Sequence, residues 1–205
     1  MSDPKSIVFV VDDDPLLRDS VADLLGAAGW EVQTFGSATH FIQSQRPDLP
    51  ACLILDVELP DLSGLDLQGE LAKSGVEMPI VFLTGRGDIP MTVRAMKAGA
   101  VGFLTKPFRK EDLFAAIREA LQRDGEVRRQ RSESEELRKR LGTLTPREKQ
   151  VLALVVTGLL NKQIAAELGT TELTIKVHRG RVMHKMGAGS LADLVRMAGK
   201  LNISP

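Results

Sequence analysis

Ile7-Val8-Phe9-Val10-Val11 runs without a break into Asp12-Asp13-Asp14. A continuous apolar run of this length reads as a parallel strand buried on both faces, not as a half-wet strand with alternating polarity. The acids that follow it are not residues a strand end needs. The same join of an apolar run to a chemically capable residue recurs three more times: Cys52-Leu53-Ile54-Leu55 before Asp56, Ile80-Val81-Phe82-Leu83 before Thr84, and Val101-Gly102-Phe103-Leu104 before Lys106-Pro107. Open parallel sheets bind ligands in the crevice outside the carboxyl ends of their strands. Acids, hydroxyl and lysine are therefore expected to share one pocket.

Helical periodicity fills the gaps between these runs. Asp14 can cap a helix with Pro15 at its first position, and Leu17, Val21, Leu24, Leu25 and Ala28 recur at helical spacing until Gly29. A strand at Glu31–Phe35, a helix opened by Ser37, a helix over about Gly64 to Lys73, one over about Ile89–Ala98 and one from Lys110 complete the pattern. Strict strand–helix alternation favours a parallel sheet with helices on both faces, and right-handed crossovers leave few topologies, the flavodoxin-like order among them. The expectation is an α/β domain over residues 1–122 with five parallel strands and five helices.

Composition narrows the function class. The 205 residues carry zero formal net charge, yet residues 1–122 hold 11 Lys and Arg against 18 Asp and Glu, while residues 123–205 hold 16 against 9. An acidic module is joined to a basic one, which suits a polyanion partner for the second and cation or phosphate chemistry for the first. No apolar stretch nears the roughly 20 residues of a membrane span and no signal peptide is visible, so a cytoplasmic protein is expected. The single cysteine, Cys52, falls in a strand run and reads as a small core residue.

Asp12-Asp13, Asp56 followed by Leu59-Pro60-Asp61-Leu62-Ser63-Gly64, Thr84-Gly85, and Lys106-Pro107-Phe108 together resemble the receiver domain of two-component response regulators. The resemblance implies that Asp56 accepts a phosphoryl group from a sensor histidine kinase, that Asp13 and Asp56 hold Mg²⁺ with help from Asp12 and the Glu58 carbonyl, and that Thr84 and Lys106 contact the phosphoryl oxygens. It also implies a switch formed by Thr84 and the aromatic Phe103, although core packing explains a phenylalanine there equally well. The chemistry needs these residue types on its own account. A carboxylate approaching an anionic donor requires a cation held by neighbouring acids, and a lysine to share the developing charge. Glu58 and Arg86, each two residues past a site residue, are expected to pair at the mouth of the pocket.

Residues 123–141 form a polar, charged linker in which Glu135–Lys139 and Glu136–Arg140 stand in the favourable i,i+4 order, so a helix is expected, with Gly125 its weak point. Beyond it, Thr145-Pro146-Arg147-Glu148 combines a capping threonine, a proline at the first helical position and the glutamate of a capping box. Further caps are expected at Asn161, Thr171 and Ser190, giving four helices in residues 142–205, two of them joined by a short glycine-containing turn. Leu144-Thr145-Pro146-Arg147-Glu148, Asn161-Lys162-Gln163-Ile164-Ala165 and Thr174-Ile175-Lys176-Val177-His178 resemble the LuxR-type helix-turn-helix, and the receiver, linker and tail together resemble a FixJ-type response regulator. Ile175, Val182 and Met186 are expected in the core, which turns Lys176, Val177, Gly180, Arg181 and His184 outward to suit a major groove. Thr171, Lys176, Val177, His178, Arg179, Arg181 and Lys185 are the expected DNA-contacting residues.

The combined expectation is a phosphorylation-activated transcriptional regulator that dimerises when phosphorylated, binds promoter DNA and acts on RNA polymerase, and is not itself an enzyme. Two alternatives use the same residues. Asp56-Val57-Glu58 loosely fits an aspartyl-phosphate hydrolase, with a nucleophile followed by an acid two residues on, and a receiver can also dock partners without being phosphorylated.

Overall fold

The computed structural model describes residues 6–85 and 89–203. In chain order the first part runs β1 (Ile7–Val11), α1 (Pro15–Ala27), β2 (Glu31–Phe35), α2 (Ala38–Gln43), β3 (Ala51–Asp56), α3 (Gly64–Lys73), β4 (Ile80–Thr84), α4 (Ile89–Lys97), β5 (Gly102–Thr105) and α5 (Lys110–Gly142). The second continues with α6 (Pro146–Val156), α7 (Asn161–Glu167), α8 (Glu172–Met186) and α9 (Leu191–Lys200). Packing divides the chain into one unit up to Arg128 and another from Arg129 onward.

The five strands are all parallel, in the order β2-β1-β3-β4-β5. This is the flavodoxin-like order, and it follows from alternation and crossover handedness. Strand residues alternate between two apolar layers. Ile7, Phe9, Leu53, Leu55 and Phe82 face one layer with Phe41, Leu67 and Ala95, while Val8, Val10, Ile54 and Val81 face the other with Leu25, Leu113 and Ile117. Each fully buried Leu, Ile or Phe contributes about 1.5–3 kcal/mol of transfer free energy. Cys52 is buried here, and burial pushes its thiol pKa up.

The expectation of burial on both faces fails for one run. β5 is only partly buried along its length because it is the edge strand, paired with β4 alone. The strand also begins later than expected, at Gly102, with Val101 in the bend before it, although its N–H still donates to the Ile80 carbonyl of β4 at 2.8 Å.

Side-chain caps set most helix starts. Asp14 accepts the N–H groups of Leu16 and Leu17, Ser37 that of His40, Ser63 that of Asp66, Thr171 that of Thr174 and Ser190 that of Asp193. Thr145 and Glu148 form the reciprocal capping box. Asn161 is a correction. Leu160 is the cap residue of α7, its N–H donates to Gln163 Oε1 at 2.8 Å, and Asn161 begins the helix, its side-chain oxygen taken by Arg179 at 3.1 Å. Helix α5 passes through Gly125 as regular helix. Within the first unit its buried Asp124 accepts the Ala51 N–H at 2.9 Å and Arg128 Nε at 2.7 Å.

In the second unit Val151, Leu152, Val155, Ile164, Ile175, Val182, Met186 and Leu194 make one core. Glu148, buried at the start of α6, receives Lys185 Nζ of α8 at 2.7 Å. Among the described residues no helix is long and apolar enough to cross a membrane.

Candidate functional site

Strand register brings the reactive residues together. Val11 pairs with Leu55, so Asp12 and Asp56 leave neighbouring strands at the same level. Asp56 pairs with Leu83, the residue before Thr84, and Thr84 pairs with Thr105, the residue before Lys106. The Lys106 N–H donates to the Thr84 carbonyl at 2.7 Å, and the Lys106–Pro107 peptide is cis. Lys106 Nζ lies 2.7 Å from Asp12 Oδ2 and 2.7 Å from Asp56 Oδ2.

Asp12 and Asp56 are buried, and carboxylate oxygens of Asp12, Asp13 and Asp56 lie within 4.8 Å of one another. At that separation each like-charge pair costs on the order of 3 kcal/mol gross at an intermediate dielectric. Burial raises the Asp12 pKa above the ordinary carboxylate range even though Lys106 opposes the shift. Burial also lowers the pKa of Lys106, but its bonds to Asp12 and Asp56 outweigh this and hold it above the usual lysine value. One ammonium does not balance three carboxylates, and a dication coordinated by their oxygens would. The donors are hard oxygens of the kind Mg²⁺ takes, so the residues fit that ion.

The loop after β3 is shaped by close approach. A Cβ on Gly64 would stand 2.3 Å from the Asp56 carbonyl oxygen, so only glycine allows α3 to start there. The Glu58 N–H donates to Asp56 Oδ1 at 3.1 Å, while the Glu58 side chain is exposed. Asp61 holds the loop to α2 by accepting the Thr39 hydroxyl at 2.7 Å and N–H at 2.8 Å, bonds that bring its pKa down to about 2. Arg18 of α1 donates to the Asp12 carbonyl at 2.9 Å. The contacts of Arg18 and Asp61 were not legible, because the Asp12 carbonyl and Thr39 that they meet are placed only by the tertiary fold. Thr84 is wholly buried, and Phe103 packs, partly buried, 6.3 Å from Phe82 between ring centroids. Arg86, the expected partner of Glu58, lies outside the described residues.

In the second unit α8 turns Ile175, Val182 and Met186 into the core and leaves Lys176, Val177, Gly180, Arg181 and His184 exposed. Thr171 caps this helix, with its hydroxyl 2.8 Å from that of Thr174. Of the remaining expected contacts, Arg179 and Lys185 each bond within the domain and His178 is only partly exposed. Arg179 donates to Asn161, Lys185 donates to Glu148 and to the Thr143 carbonyl at 3.1 Å, and His178 is half-buried, its Nδ1 buried with no hydrogen-bond partner among the described residues. Exposed cations beside an apolar Val177 on a helix preceded by a helix and a short turn form a surface able to enter a major groove.

Residues 8–118 match the response regulator receiver domain family, and residues 142–198 match the bacterial regulatory proteins of the luxR family. The chain is a response regulator. Its relatives include the nodulation protein W of Bradyrhizobium diazoefficiens, 54% identical over 98% of this chain and 88% of that protein, and the response regulator protein TmoT of Ectopseudomonas mendocina, 45% identical over 100% and 93%. The transcriptional regulatory protein FixJ of Azorhizobium caulinodans is 43% identical over 98% and 96%, which places the regulator in the FixJ-type subgroup. Among solved structures, the response regulator StyR matches with a TM-score of 0.87 and 49% identity, covering 96% of this chain and 99% of that one. The regulator thus pairs a receiver with a LuxR-type DNA-binding domain, the composition of a two-component transcriptional regulator.

Proposed function

We propose that Asp56 is the phosphoacceptor, that a sensor histidine kinase supplies the phosphoryl group, and that the modified protein dimerises on promoter DNA to act on RNA polymerase in the cytoplasm. The observation that carries this reading is the convergence of Asp56, Asp12 and Lys106, with Lys106 Nζ 2.7 Å from both carboxylates. Asp12, Asp13, Asp56 and the Glu58 carbonyl would hold Mg²⁺, which supplies charge neutralisation for an anionic donor meeting an anionic acceptor. Asp56 attacks phosphorus through a carboxylate oxygen, the P–O bond to the donor breaks, and the donor leaves with the bonding pair. Lys106 then turns from the acids to the incoming oxygens, and the Thr84 hydroxyl takes another. A phosphoryl group that draws Thr84 inward opens space for Phe103, which changes the surface of α4 and β5.

That surface supports the dimer. α4 exposes Ile89 (80%), Val93 (43%) and Met96 (45%), spaced i, i+4, i+7 along one stripe, beside Arg94 and Lys97. For DNA, Lys176 and Arg181 suit phosphate or guanine and Val177 a thymine methyl, while Thr171, His178, Arg179 and Lys185 complete the proposed contacting set. The proposed domain division is a receiver over 1–122, a linker over 123–141 and the DNA-binding domain over 142–205.

Incubation with a small phosphodonor and Mg²⁺ tests the reading. A single stable adduct, lost in Asp56→Asn, is expected. Continuous turnover of donor would mean a hydrolase, and no adduct with DNA binding intact would mean a phosphorylation-independent regulator.

A further inference from the structure

Gly180 sits near the middle of α8, exposed, with the ordinary right-handed backbone of a helix. A Cβ built there meets no atom within 4 Å, so nothing in the fold asks for glycine. Alanine would fit, and it would reduce the conformational entropy lost on folding. Other helical glycines share the open surroundings, Gly69 of α3 and Gly125 of α5 among them, so open space alone assigns no role. Position separates them. Val177, Gly180, Arg181 and His184 stand at i, i+3, i+4 and i+7 on one exposed stripe, and Lys176 lies one turn before Gly180 on the same side. A bare backbone there is flanked by an apolar side chain, Val177 at 47% exposure, and by two exposed cations.

We propose that Gly180 is a specificity-determining residue, its missing side chain letting the backbone of α8 seat against base edges so that Val177 reaches the bases beside it while Arg181 keeps to the flanking phosphates. This rests on the DNA-binding role of the second domain and extends it. Side chains longer than a hydrogen at this position would hold the helix away from the groove floor, and short Val177 would lose its contact first. An apolar contact to a thymine methyl depends on van der Waals approach, whereas a long cationic side chain can follow a retreating phosphate. Loss of approach should therefore reduce sequence preference more than total affinity.

The full chain, with phosphodonor and Mg²⁺, would be used to select a random-sequence duplex pool, and the enriched consensus and a mixed-sequence duplex would then be titrated with wild type, Gly180→Ala and Gly69→Ala. The expected result is that Gly180→Ala melts higher than wild type yet binds the consensus about fivefold or more weaker, the lower bound for one lost base contact. Its binding to the mixed duplex is expected to be unchanged, and Gly69→Ala is expected to melt higher with wild-type DNA binding. Consensus affinity equal to wild type for Gly180→Ala, or equal losses on both duplexes, would overturn the proposal. If wild type itself enriches no sequence, the DNA-binding reading fails first, and that outcome is separable because it appears before any variant is compared.

Discussion

Lys106 ties together two buried carboxylates of the candidate site. Its ammonium holds Asp12 and Asp56 at 2.7 Å each, and without it two buried carboxylates face each other unscreened. Lys106→Met is expected to lower Mg²⁺-dependent adduct formation by about two to three orders of magnitude, in line with loss of one electrostatic contact to a developing charge, about 2.7–4 kcal/mol. Intact mass after timed exposure to phosphodonor checks this. Glu148 makes a separate prediction about pH. Its bonds to Lys185 and to the Thr145 N–H hold its pKa at about 2, below the 4.5 of an unfolded glutamate. A depressed folded-state pKa contributes stability that is present above about 4.5 and lost as pH falls toward about 2. The melting-temperature advantage of wild type over Glu148→Gln should accordingly narrow below pH 4.5 and be flat above pH 6. An advantage unchanged on acidification would mean that shape rather than charge makes the contact.

Helix α4 is held at one end more firmly than at the other. Gln68 of α3 is buried, and its amide donates to the carbonyls of Ala95 at 3.3 Å and Ala98 at 3.2 Å, at the carboxyl end of α4. Ile89, at the opposite end, is 80% exposed. Each buried hydrogen bond is worth about 0.5–1.5 kcal/mol net, so Gln68→Leu should cost about 1–2 kcal/mol of receiver stability. Amide exchange at Ala98, Gly99 and Ala100 should quicken, while that of β1 stays as in wild type. Uniform acceleration across the receiver would show global destabilisation in place of a local pin. Gly64 makes the corresponding case at the start of α3. With backbone 2.3 Å from any Cβ, Gly64→Ala must shift the loop that carries the Glu58 N–H, and a cost of about 1–3 kcal/mol is expected in chemical melts.

Over the whole molecule, charge is partitioned into an acidic domain, which suits the proposed phosphoryl chemistry, and a basic one, which suits a polyanion. Lys176→Ala and Arg181→Ala should each reduce the salt slope of DNA binding by about one unit if they contact phosphate, whereas Val177→Ala should leave the slope unchanged and cost about 1–3 kcal/mol on the preferred site only. Titrations at several salt concentrations decide it, and identical behaviour of the three would mean that the face is misassigned. Sedimentation of the full chain with and without phosphodonor reads the proposed dimer. An unchanged mass at micromolar protein would remove the α4 stripe from the account.

The strand runs, their terminal acids, hydroxyl and lysine, and most helix caps were legible because each is a local property. Apolar periodicity reports burial, and a capping side chain reaches only its own next turn. The parallel order and the gathering of Asp12, Asp56, Thr84 and Lys106 at the carboxyl ends of the strands followed from alternation, since few topologies satisfy it. Three kinds of fact were decided only by tertiary contact. Asn161 does not cap α7 because Arg179, eighteen residues on, occupies its oxygen. Arg179 and Lys185, basic residues that suit DNA by residue type, each also give a donor to a partner within the domain, Asn161 and Glu148. The run at β5 is less buried than its composition promises because its place at the sheet edge is a matter of strand order, and no window of sequence contains that order.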